Sequence, residues 1–377
     1  MPDTHRAVVV AEPGAPGSLQ DVPTPQPGAS EVLVRLTAAA INPVDWKILD
    51  SPKKYPYIPK YPTVLGSDAA GVVEVAGAQS GFEAGERVFF QGIIGELSGS
   101  TFQEKALMPA ELVSRTPSNV SDEEAAGVSL AAMAVLAGFY HEGAGRPVAP
   151  APWEKDGATA AKGRAAVVLG GSSSVGQYAV QLARLSGFER IVTASSPAHH
   201  DLLRTLGATA VLDRNSASAA QYVEATHGLP LEFVFDSISA PETQQLAVDI
   251  LAGARGGDGD KARAVVTVLP QDEAAVTSGK KHNIDVNAVF GKGSAPHMRA
   301  LAVPFSQALS AWLKDGSLVP NRPEVVPGGL AALDAALDKN RSGISGRKVV
   351  LKLTGDAAAQ GKADVGHISA QIAQLKG

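Results

Sequence analysis

A run of small residues in the middle of the chain has the composition of a phosphate-binding turn. Residues 166–184, AVVLGGSSSVGQYAVQLAR, read as a buried strand, a turn of glycine and serine, and a helix. Backbone N–H groups at the start of such a helix can bind a pyrophosphate. The predicted dinucleotide contacts in this turn are Gly171, Ser172, Ser173, Ser174, Val175 and Gly176. Ser173 replaces the middle glycine of G-x-G-x-x-G, and similar turns occur in proteins that bind no nucleotide, so the turn alone leaves both interpretations open.

Small or polar residues also stand where other predicted strands end. In a doubly wound sheet the ligand lies at the carboxyl ends of the strands. Turn residues are common at strand ends without any ligand, which is the alternative interpretation. The candidate cofactor contacts of this group are Ser195, Ser196, His199, Arg214, Asp236, Leu269, Pro270, Phe290 and Gly291.

The end of the second predicted strand of the sheet, which is the first strand after the turn, distinguishes between the two nicotinamide dinucleotides. NAD-binding proteins place an acidic residue there, about 20 residues past the glycine turn, to bind the ribose 2′-hydroxyl. This chain has Ser195 and Ser196 instead, followed by His199, His200 and Arg204. Hydroxyls and a cation accept a 2′-phosphate that a carboxylate would repel. The sequence therefore predicts NADP(H) as the cofactor.

Patterns for metal binding and for covalent catalysis are missing from the sequence. The chain has no cysteine, which excludes disulfides, thiolate zinc sites and a cysteine nucleophile. The adjacent His199 and His200 point apart in most backbone conformations, and 256–260 lacks the ligand spacing of a calcium loop. No G-x-S-x-G nucleophile elbow is present. The sequence predicts no metal site.

The elements that must position these residues alternate between strands and helices from residue 165 onward. Such alternation is typical of βαβ units and a parallel sheet, and six strands make a complete dinucleotide-binding fold. Strands are predicted at 165–170, 190–195, 209–212, 231–236, 263–268 and 285–290. Helices are predicted at 175–186, 198–206, 216–227, 241–252 and 297–315.

The remainder of the chain is predicted to form a separate β-rich domain. Short apolar runs with frequent glycine and proline up to residue 125 favour a barrel or a partly open sandwich. A capping box at Ser121 opens an apolar helix over 125–140, and 147–163 is predicted as an exposed loop. The strand Lys348–Leu353 is expected to rejoin the β-rich domain, and 354–377 to be a loose helix or disordered. The predicted domains are therefore 1–125 with 318–377, and 126–317.

Composition limits the partners and the compartment. The 377 residues carry 33 basic and 38 acidic side chains, a net charge of −5 without long runs of either sign. Nucleic acid or an anionic membrane is therefore not expected as a partner. The N-terminus resembles neither a signal peptide nor a membrane helix, so we expect a cytoplasmic protein, as a monomer or homodimer.

Several motifs together resemble one family. The chain is similar to the medium-chain dehydrogenase/reductase superfamily, in its zinc-free quinone oxidoreductase-like branch, and most like the fungal trans-acting enoyl reductases of polyketide synthesis. The resemblance implies an α/β protein with a GroES-like catalytic domain and a Rossmann domain holding a six-strand doubly wound parallel sheet. The matching motifs are AINPVDWK (40–47), LGSDAAG (65–71), GERV (85–88), the glycine turn, LGA (206–208), FDSI (235–238), VFGKG (289–293) and SGRKVV (345–350).

The resemblance also implies roles for individual residues. Zinc-dependent members have Gly-His-Glu where this chain has Gly66, Ser67 and Asp68, and a cysteine where it has Asp45. Without those ligands, the resemblance implies hydride transfer to a polarised C=C bond, with no zinc. Lys47 would donate to the substrate carbonyl oxygen. Asn42 and Asp45 would orient the site, and Lys348 would contact the cofactor. Tyr55, Tyr57 and Tyr61 would form walls of the substrate pocket. Met133 stands where related reductases have a threonine.

Two classes of function remain open at this point. The first is an NADPH-dependent reductase of a small-molecule or carrier-bound enoyl substrate, acting with a polyketide synthase, or a close variant that reduces quinones. The second is a nucleotide-binding scaffold, or an assembly factor for a synthase, that retains the fold without turnover.

Overall fold

The computed structural model describes residues 3–257 and 261–353. The strands are β1 (Thr4–Val10), β2 (Ser18–Pro23), β3 (Glu31–Ala40), β4 (Thr63–Val64), β5 (Asp68–Ala76), β6 (Arg87–Gln91), β7 (Lys105–Pro109), β8 (Ser114–Arg115), β9 (Ala165–Leu169), β10 (Arg190–Ser195), β11 (Ala210–Asp213), β12 (Leu231–Asp236), β13 (Arg263–Thr267), β14 (Ile284–Ala288), β15 (Arg322–Val326) and β16 (Arg347–Lys352). The helices are α1 (Pro43–Asp50), α2 (Asp122–Ala125), α3 (Ser129–Tyr140), α4 (Ser174–Leu185), α5 (His200–Leu206), α6 (Ala219–Ala225), α7 (Pro241–Gly253), α8 (Glu273–Lys280), α9 (Arg299–Asp315) and α10 (Leu333–Arg341). Short 3₁₀ turns occupy Ala110–Leu112, Glu142–Ala144, Gly157–Thr159, Pro197–His199, Pro296–Met298 and Gly329–Ala332.

A six-stranded parallel sheet forms one part of the molecule, as predicted. Its order is β11-β10-β9-β12-β13-β14, and each strand pairs in parallel with its neighbours. The central strand β9 is buried at every position, because helices cover both faces of such a sheet and its strands are apolar throughout. This strand order places the ends of β9 and β12 side by side, at the point where connections diverge to the two faces.

One helix of this part was not predicted. The predicted helices include none between residues 252 and 297, whereas α8 connects β13 to β14. Asp272 caps the helix by accepting hydrogen bonds from the N–H groups of Ala274 and Ala275, at 3.1 and 3.0 Å. Thr277, Ser278 and Gly279 weaken its helical pattern. The parallel pairing nevertheless requires a crossover, and a helix is the usual one.

Two largely antiparallel sheets, in which β15 and β16 pair in parallel, form the second part, which the sequence predicted as β-rich. One sheet runs β15-β16-β3-β5-β6-β8, with β7 also paired to β3, and a smaller sheet runs β2-β1-β4. β16 pairs with β3 through Val350 and Ala40, so the last predicted strand does return to the N-terminal sheet. β2 was not predicted, because it is almost wholly exposed and has no alternation of apolar residues. The proposed division at 125/126 and 317/318 stays a prediction, and 354–377 lies outside the described residues.

The apolar segment between the two parts is a core element. The capping box is present, with the Ser121 hydroxyl accepting from the N–H of Glu124, but the expected single helix is broken into α2 and α3. The stretch Asp122–Tyr140 is long and apolar enough to cross a membrane, with a mean hydropathy of 1.2, yet 78% of it is buried inside the protein. Burial of that extent is typical of a core helix of a soluble fold.

The segment 147–163 is not the exposed loop that its composition suggested. Val148, Ala151 and Ala161 are buried. The Trp153 ring packs 5.2 Å from the ring centre of Tyr140, and it also contacts α9. Proline and glycine prevent regular structure here without keeping the segment away from the core.

Candidate active site

A cleft of about 480 Å³ lies between the parallel sheet and the antiparallel sheets. α1, the 55–57 loop, the end of β6, α3, the start of α4 and the loops after β12, β13 and β14 all contribute walls. The predicted site residues that line it are Asn42, Lys47, Ser173, Ser174, Val175, Leu269, Phe290, Gly291 and Lys348. Those outside the lining are Asp45, Gly171, Ser172, Gly176, Ser195, Ser196, His199, Arg214, Asp236 and Pro270.

The start of α4 forms one end of the cleft. Ser173 is the N-cap of this helix, and its hydroxyl accepts a hydrogen bond from the N–H of Gly176 at 2.9 Å. The same hydroxyl lies 2.9 Å from that of Ser237 in the turn after β12. Ser174 and Val175 follow on the cleft wall. Because N–H groups in the first turn of a helix have no intrahelical acceptor, this end can bind an anion such as a pyrophosphate.

Close backbone packing explains the glycines of the turn. Gly170 has a φ of +75°, a conformation that side chains other than glycine rarely adopt. A Cβ atom on Gly171 would lie 2.2 Å from the Thr193 hydroxyl, and one on Gly176 would lie 2.2 Å from the Gly170 carbonyl oxygen. Gly171 and Gly176 therefore allow the strand, turn and helix to pack closely, and this packing shapes the turn.

Asp236 is engaged within its own turn and not in the cleft. Its carboxylate accepts from the N–H groups of Ile238 and Ser239, at 3.0 and 2.9 Å, and from the Thr243 hydroxyl at 2.7 Å. Burial raises the pKa of Asp236. Asp236 therefore stabilises the β12–α7 turn, which carries Ser237.

The residues predicted to contact the ribose lie around the ends of β10 and β11. Ser195 is buried, and its hydroxyl donates to the Ser196 carbonyl oxygen at 3.0 Å. The His199 ring nitrogen lies 2.7 Å from the Ser345 hydroxyl, which joins this region to the loop before β16. Arg214 is exposed, and its backbone N–H donates to the Ser195 carbonyl oxygen at 3.0 Å. Ser196 and His199 are half-buried, so among the predicted ribose contacts Arg214 is the group most exposed to a ligand.

Lys47 presents a cation to the same cleft. α1 carries it, and its ammonium lies 5.6 Å from the ring centre of Trp46 and 5.9 Å from that of Tyr55. Burial, followed by the charge of Lys54, lowers the pKa of Lys47, and no carboxylate among residues 3–257 and 261–353 opposes this shift. The ammonium is therefore available to donate to an oxygen atom of a bound molecule.

Five residues next to Lys47 form a group that we call the buried polar cluster: Asn42, Asp45, Ser67, Asp68 and Lys348. The Asn42 amide nitrogen donates to the Ser67 hydroxyl and to Asp68 Oδ2, both at 3.0 Å. The Lys348 ammonium donates to Asn42 Oδ1 and lies 3.7 Å from Asp68 Oδ2. The second oxygen of Asp68 accepts from the N–H of Leu130 in α3 at 2.7 Å. Sequence analysis identified Asn42 and Lys348 but not their contact.

Burial dominates the electrostatics of this cluster. The pKa of Asp45 is raised to about 7 and that of Asp68 to about 6, in both cases mainly because burial disfavours the ionised carboxylate. Burial also lowers the pKa of Lys348, against the attraction of both carboxylates. Asp45 Oδ2 accepts from the Asn42 N–H at 2.7 Å, while its Oδ1 is buried without a hydrogen-bond partner in the described part of the chain.

The donor set at this position does not fit a zinc ion. Tetrahedral zinc sites use thiolates, imidazoles and carboxylates around one point. Here the Lys348 ammonium stands beside Asp68, and residues 3–257 and 261–353 contain no group of three or more histidine, cysteine or acidic side chains that could hold a metal. An ammonium and a metal cation would repel each other at this distance.

The remaining walls include residues that sequence analysis missed. Gln91 at the end of β6 donates to the Gly291 carbonyl oxygen at 2.6 Å and accepts from the Gly293 N–H at 2.8 Å, which fixes the loop after β14. Phe290 in that loop lies 5.1 Å from the Tyr57 ring centre and is 49% exposed. No local pattern marks Gln91, because its partners are 200 residues away.

Two expectations about the walls need correction. α3 presents Leu130 and Ala134 to the cleft, whereas Met133 is buried and its backbone packs against Gly291. Met133 therefore lies on α3, but it is not among the residues that line the cleft. Tyr55 and Tyr57 line the cleft as expected, and Tyr61 is not among the lining residues.

Comparisons with known proteins agree with this architecture. The family model described as alcohol dehydrogenase GroES-like domain matches residues 28–118, and the model described as zinc-binding dehydrogenase matches residues 174–258. A crystal structure of an alcohol dehydrogenase superfamily protein from Novosphingobium aromaticivorans has a TM-score of 0.72 and 23% identity. That likeness covers 93% of this chain and 100% of the other.

Curated relatives share more of the sequence. Trans-enoyl reductase tndF of Aspergillus flavipes is 33% identical over 94% of this chain and 100% of its own length. Trans-enoyl reductase himH of Aspergillus japonicus is 31% identical, over 86% of this chain and 90% of its own length. The chain therefore belongs to the medium-chain dehydrogenase/reductase superfamily of oxidoreductases, in its enoyl reductase-like branch.

Proposed function

We propose that this protein is a zinc-independent, NADPH-dependent enoyl reductase, which transfers hydride to the C=C bond of an α,β-unsaturated carbonyl compound. The observation that carries the proposal is the Lys47 ammonium. It lines the same cleft as the start of α4, and no carboxylate in the described part of the chain opposes its charge. Similarity to trans-enoyl reductases over nearly the whole chain supports the same reaction.

The cofactor is a nicotinamide dinucleotide, which the family implies and which supplies the hydride when bound. The first turn of α4, with Ser174 and Val175 on the cleft wall, would hold its pyrophosphate. NADPH is favoured over NADH because the end of β10 carries Ser195 and Ser196 in place of an acidic residue, with the exposed Arg214 beside them. A guanidinium and hydroxyls suit a 2′-phosphate.

Lys47 acts on the substrate oxygen. When hydride reaches the β-carbon of an enoyl group, negative charge develops on the carbonyl oxygen. A fixed ammonium in a partly buried, aromatic environment stabilises that charge more than water does. Trp46, which flanks Lys47, is held by its indole N–H donating to the Asn340 amide oxygen at 2.9 Å. This contact limits the positions that the lysine can adopt.

We propose a carrier-bound acyl chain as the natural substrate and a cytoplasmic polyketide synthase as the partner. The two curated relatives described above are named trans-enoyl reductases, and these names support the proposed acyl substrate. The cleft supports it as well, because its outer wall is apolar at Tyr57 and Phe290 and is open to solvent there. A pull-down with synthase carrier domains tests the partner: retention only of acyl-loaded carriers supports it, and no retention contradicts it.

Steady-state oxidation of NADPH tests the reaction itself. The purified protein is assayed with crotonyl thioester, with a quinone series and with no acceptor. Turnover of the enoyl thioester, faster with NADPH than with NADH, is the expected result. Turnover of quinones alone would favour the quinone reductase alternative. NADPH binding with no turnover of either would favour the non-catalytic scaffold.

A further inference from the structure

The buried side chain of Lys348 occupies a space in which the neighbouring residue is a glycine. The residue is 3% exposed, although its side chain reaches the cleft wall. Its aliphatic stem lies against Gly127, at the break between α2 and α3, where a Cβ atom would come 2.9 Å from Lys348 Cγ. A lysine is rarely buried to this extent without a partner for its charge. Here the partners are Asn42 and Asp68.

The Asn42 amide is held from three sides. Its two N–H groups donate to Ser67 and Asp68, and its oxygen accepts from Lys348. These contacts set the orientation of the Asn42 amide, because the Lys348 ammonium has only donors and can bond to the amide oxygen but not to the amide nitrogen. Asn42 is also the N-cap of α1, and its own N–H donates to Asp45. The entry of the chain into α1 is therefore fixed by a contact to β16, about 300 positions away.

We infer that Lys348 is a positioning residue of the reductase: its ammonium is the internal counter-ion that fixes Asn42, and through α1 it fixes Lys47. This inference rests on the proposed function. The expectation from sequence that Lys348 contacts the cofactor stays a prediction, and the variants below distinguish the two roles. Lys47 lies one turn into the helix that Asn42 caps, so a shift of the helix start would move Lys47 directly.

Charge balance in the buried polar cluster supports this role. Two carboxylates, Asp45 and Asp68, share a single ammonium. Without that ammonium, the negative charges of Asp45 and Asp68 would be buried with no positive charge beside them. The two carboxylates would then become protonated, or the surrounding structure would open to admit water. Either response disturbs the Asn42 contacts. By contrast, no described residue of the cleft needs Lys348 in order to hold the pyrophosphate turn, which is built from α4.

Three variants test the inference. K348M removes the charge with a side chain of similar length, K348R keeps the charge, and K352M is the matched control on the same strand, since Lys352 pairs with Glu123 at 3.2 Å at the surface. NADPH affinity is measured by fluorescence titration, and kcat and KM by enoyl turnover. For K348M we expect kcat to fall on the order of 100-fold, as misplacement of a reacting group commonly does, with the Kd for NADPH changed less than about threefold. K348R should recover part of kcat, and K352M should match the wild type.

A rise of tenfold or more in the NADPH Kd of K348M with an unchanged kcat would overturn the inference and restore the cofactor contact. Unchanged kcat and Kd would overturn it as well. If K348M does not fold, the double variant D68N/K348M is used, because it removes the charges of both Lys348 and Asp68. A cooperative thermal unfolding transition establishes that the double variant is folded. A wild-type kcat in that double variant contradicts the inference, and a reduced kcat with normal NADPH affinity supports it. Failure of the proposed function is distinct, because the wild type itself would then lack enoyl turnover.

Discussion

Two parts of the cleft are built in different ways. In the first, backbone N–H groups of α4 and a capping hydroxyl from Ser173 come from one continuous segment. In the second, the buried polar cluster connects the start of α1, β5 and β16 through Asn42, Asp68 and Lys348, and Asp68 also accepts from the backbone N–H of Leu130 in α3. The first part presents partial charges of the backbone, and the second presents side chains whose ionisation depends on burial. We therefore expect binding to depend on a locally encoded turn and chemistry on a site assembled by the tertiary fold.

The largest effect is expected at Lys47. Lys47→Ala should lower kcat about 100- to 1000-fold, the usual result of removing one donor to a developing oxyanion. NADPH affinity should be nearly unchanged, because the turn at α4 is intact. Lys53→Ala, an exposed lysine of the neighbouring loop, is the control. Equal kcat values for Lys47→Ala and the wild type would remove the lysine from the mechanism.

The next effect is expected in the turn. Gly171→Ala places a Cβ atom only 2.2 Å from the Thr193 hydroxyl oxygen. We expect a loss of about 1–3 kcal/mol in unfolding free energy, typical of overpacking, together with weaker NADPH binding. Gly163→Ala is a suitable comparison, since nothing lies near its Cβ position, although its φ of +75° adds backbone strain. Wild-type thermal stability and NADPH affinity in Gly171→Ala would mean that the turn is more tolerant than its packing indicates.

A smaller effect is expected at the ribose end. Arg214→Ala should raise the NADPH Kd about tenfold, equivalent to one charge-assisted hydrogen bond of roughly 1.4 kcal/mol, and leave the Kd for NADH unchanged. Calorimetry with each cofactor measures both. An equal loss for NADH would indicate a general structural role for Arg214.

The last prediction concerns the dependence of stability on pH. The pKa of Asp45 rises to about 7 in the folded protein, whereas the unfolded chain has the ordinary value near 3.8. Between these values the folded state binds more protons, so stability falls as pH rises through this window. Asp45→Asn should flatten the dependence of unfolding free energy on pH between about 4 and 7, read from urea titrations at several pH values. A slope equal to that of the wild type would show that Asp45 is ionised throughout.

The same contrast explains what the sequence could and could not predict. The parallel sheet was predictable because β9 to β14 are short apolar runs at regular spacing, and their periodicity is local. Helix α8 was missed because its Thr277, Ser278 and Gly279 are poor helix formers. The turn at Ser173 was predicted from one segment. Lys348 was correctly placed in the site region by resemblance, but its partner Asn42 is 306 positions away, and no local pattern records such a contact.

Isotope transfer tests the central claim most directly. The protein is incubated with crotonyl thioester and with NADPH that carries deuterium at C4, on either face in separate reactions, and the product is analysed by mass spectrometry and NMR. The account predicts one deuterium at the β-carbon from one face only, and loss of this product in Lys47→Ala. Saturated product without deuterium from either cofactor, or no saturated product at all, would contradict it.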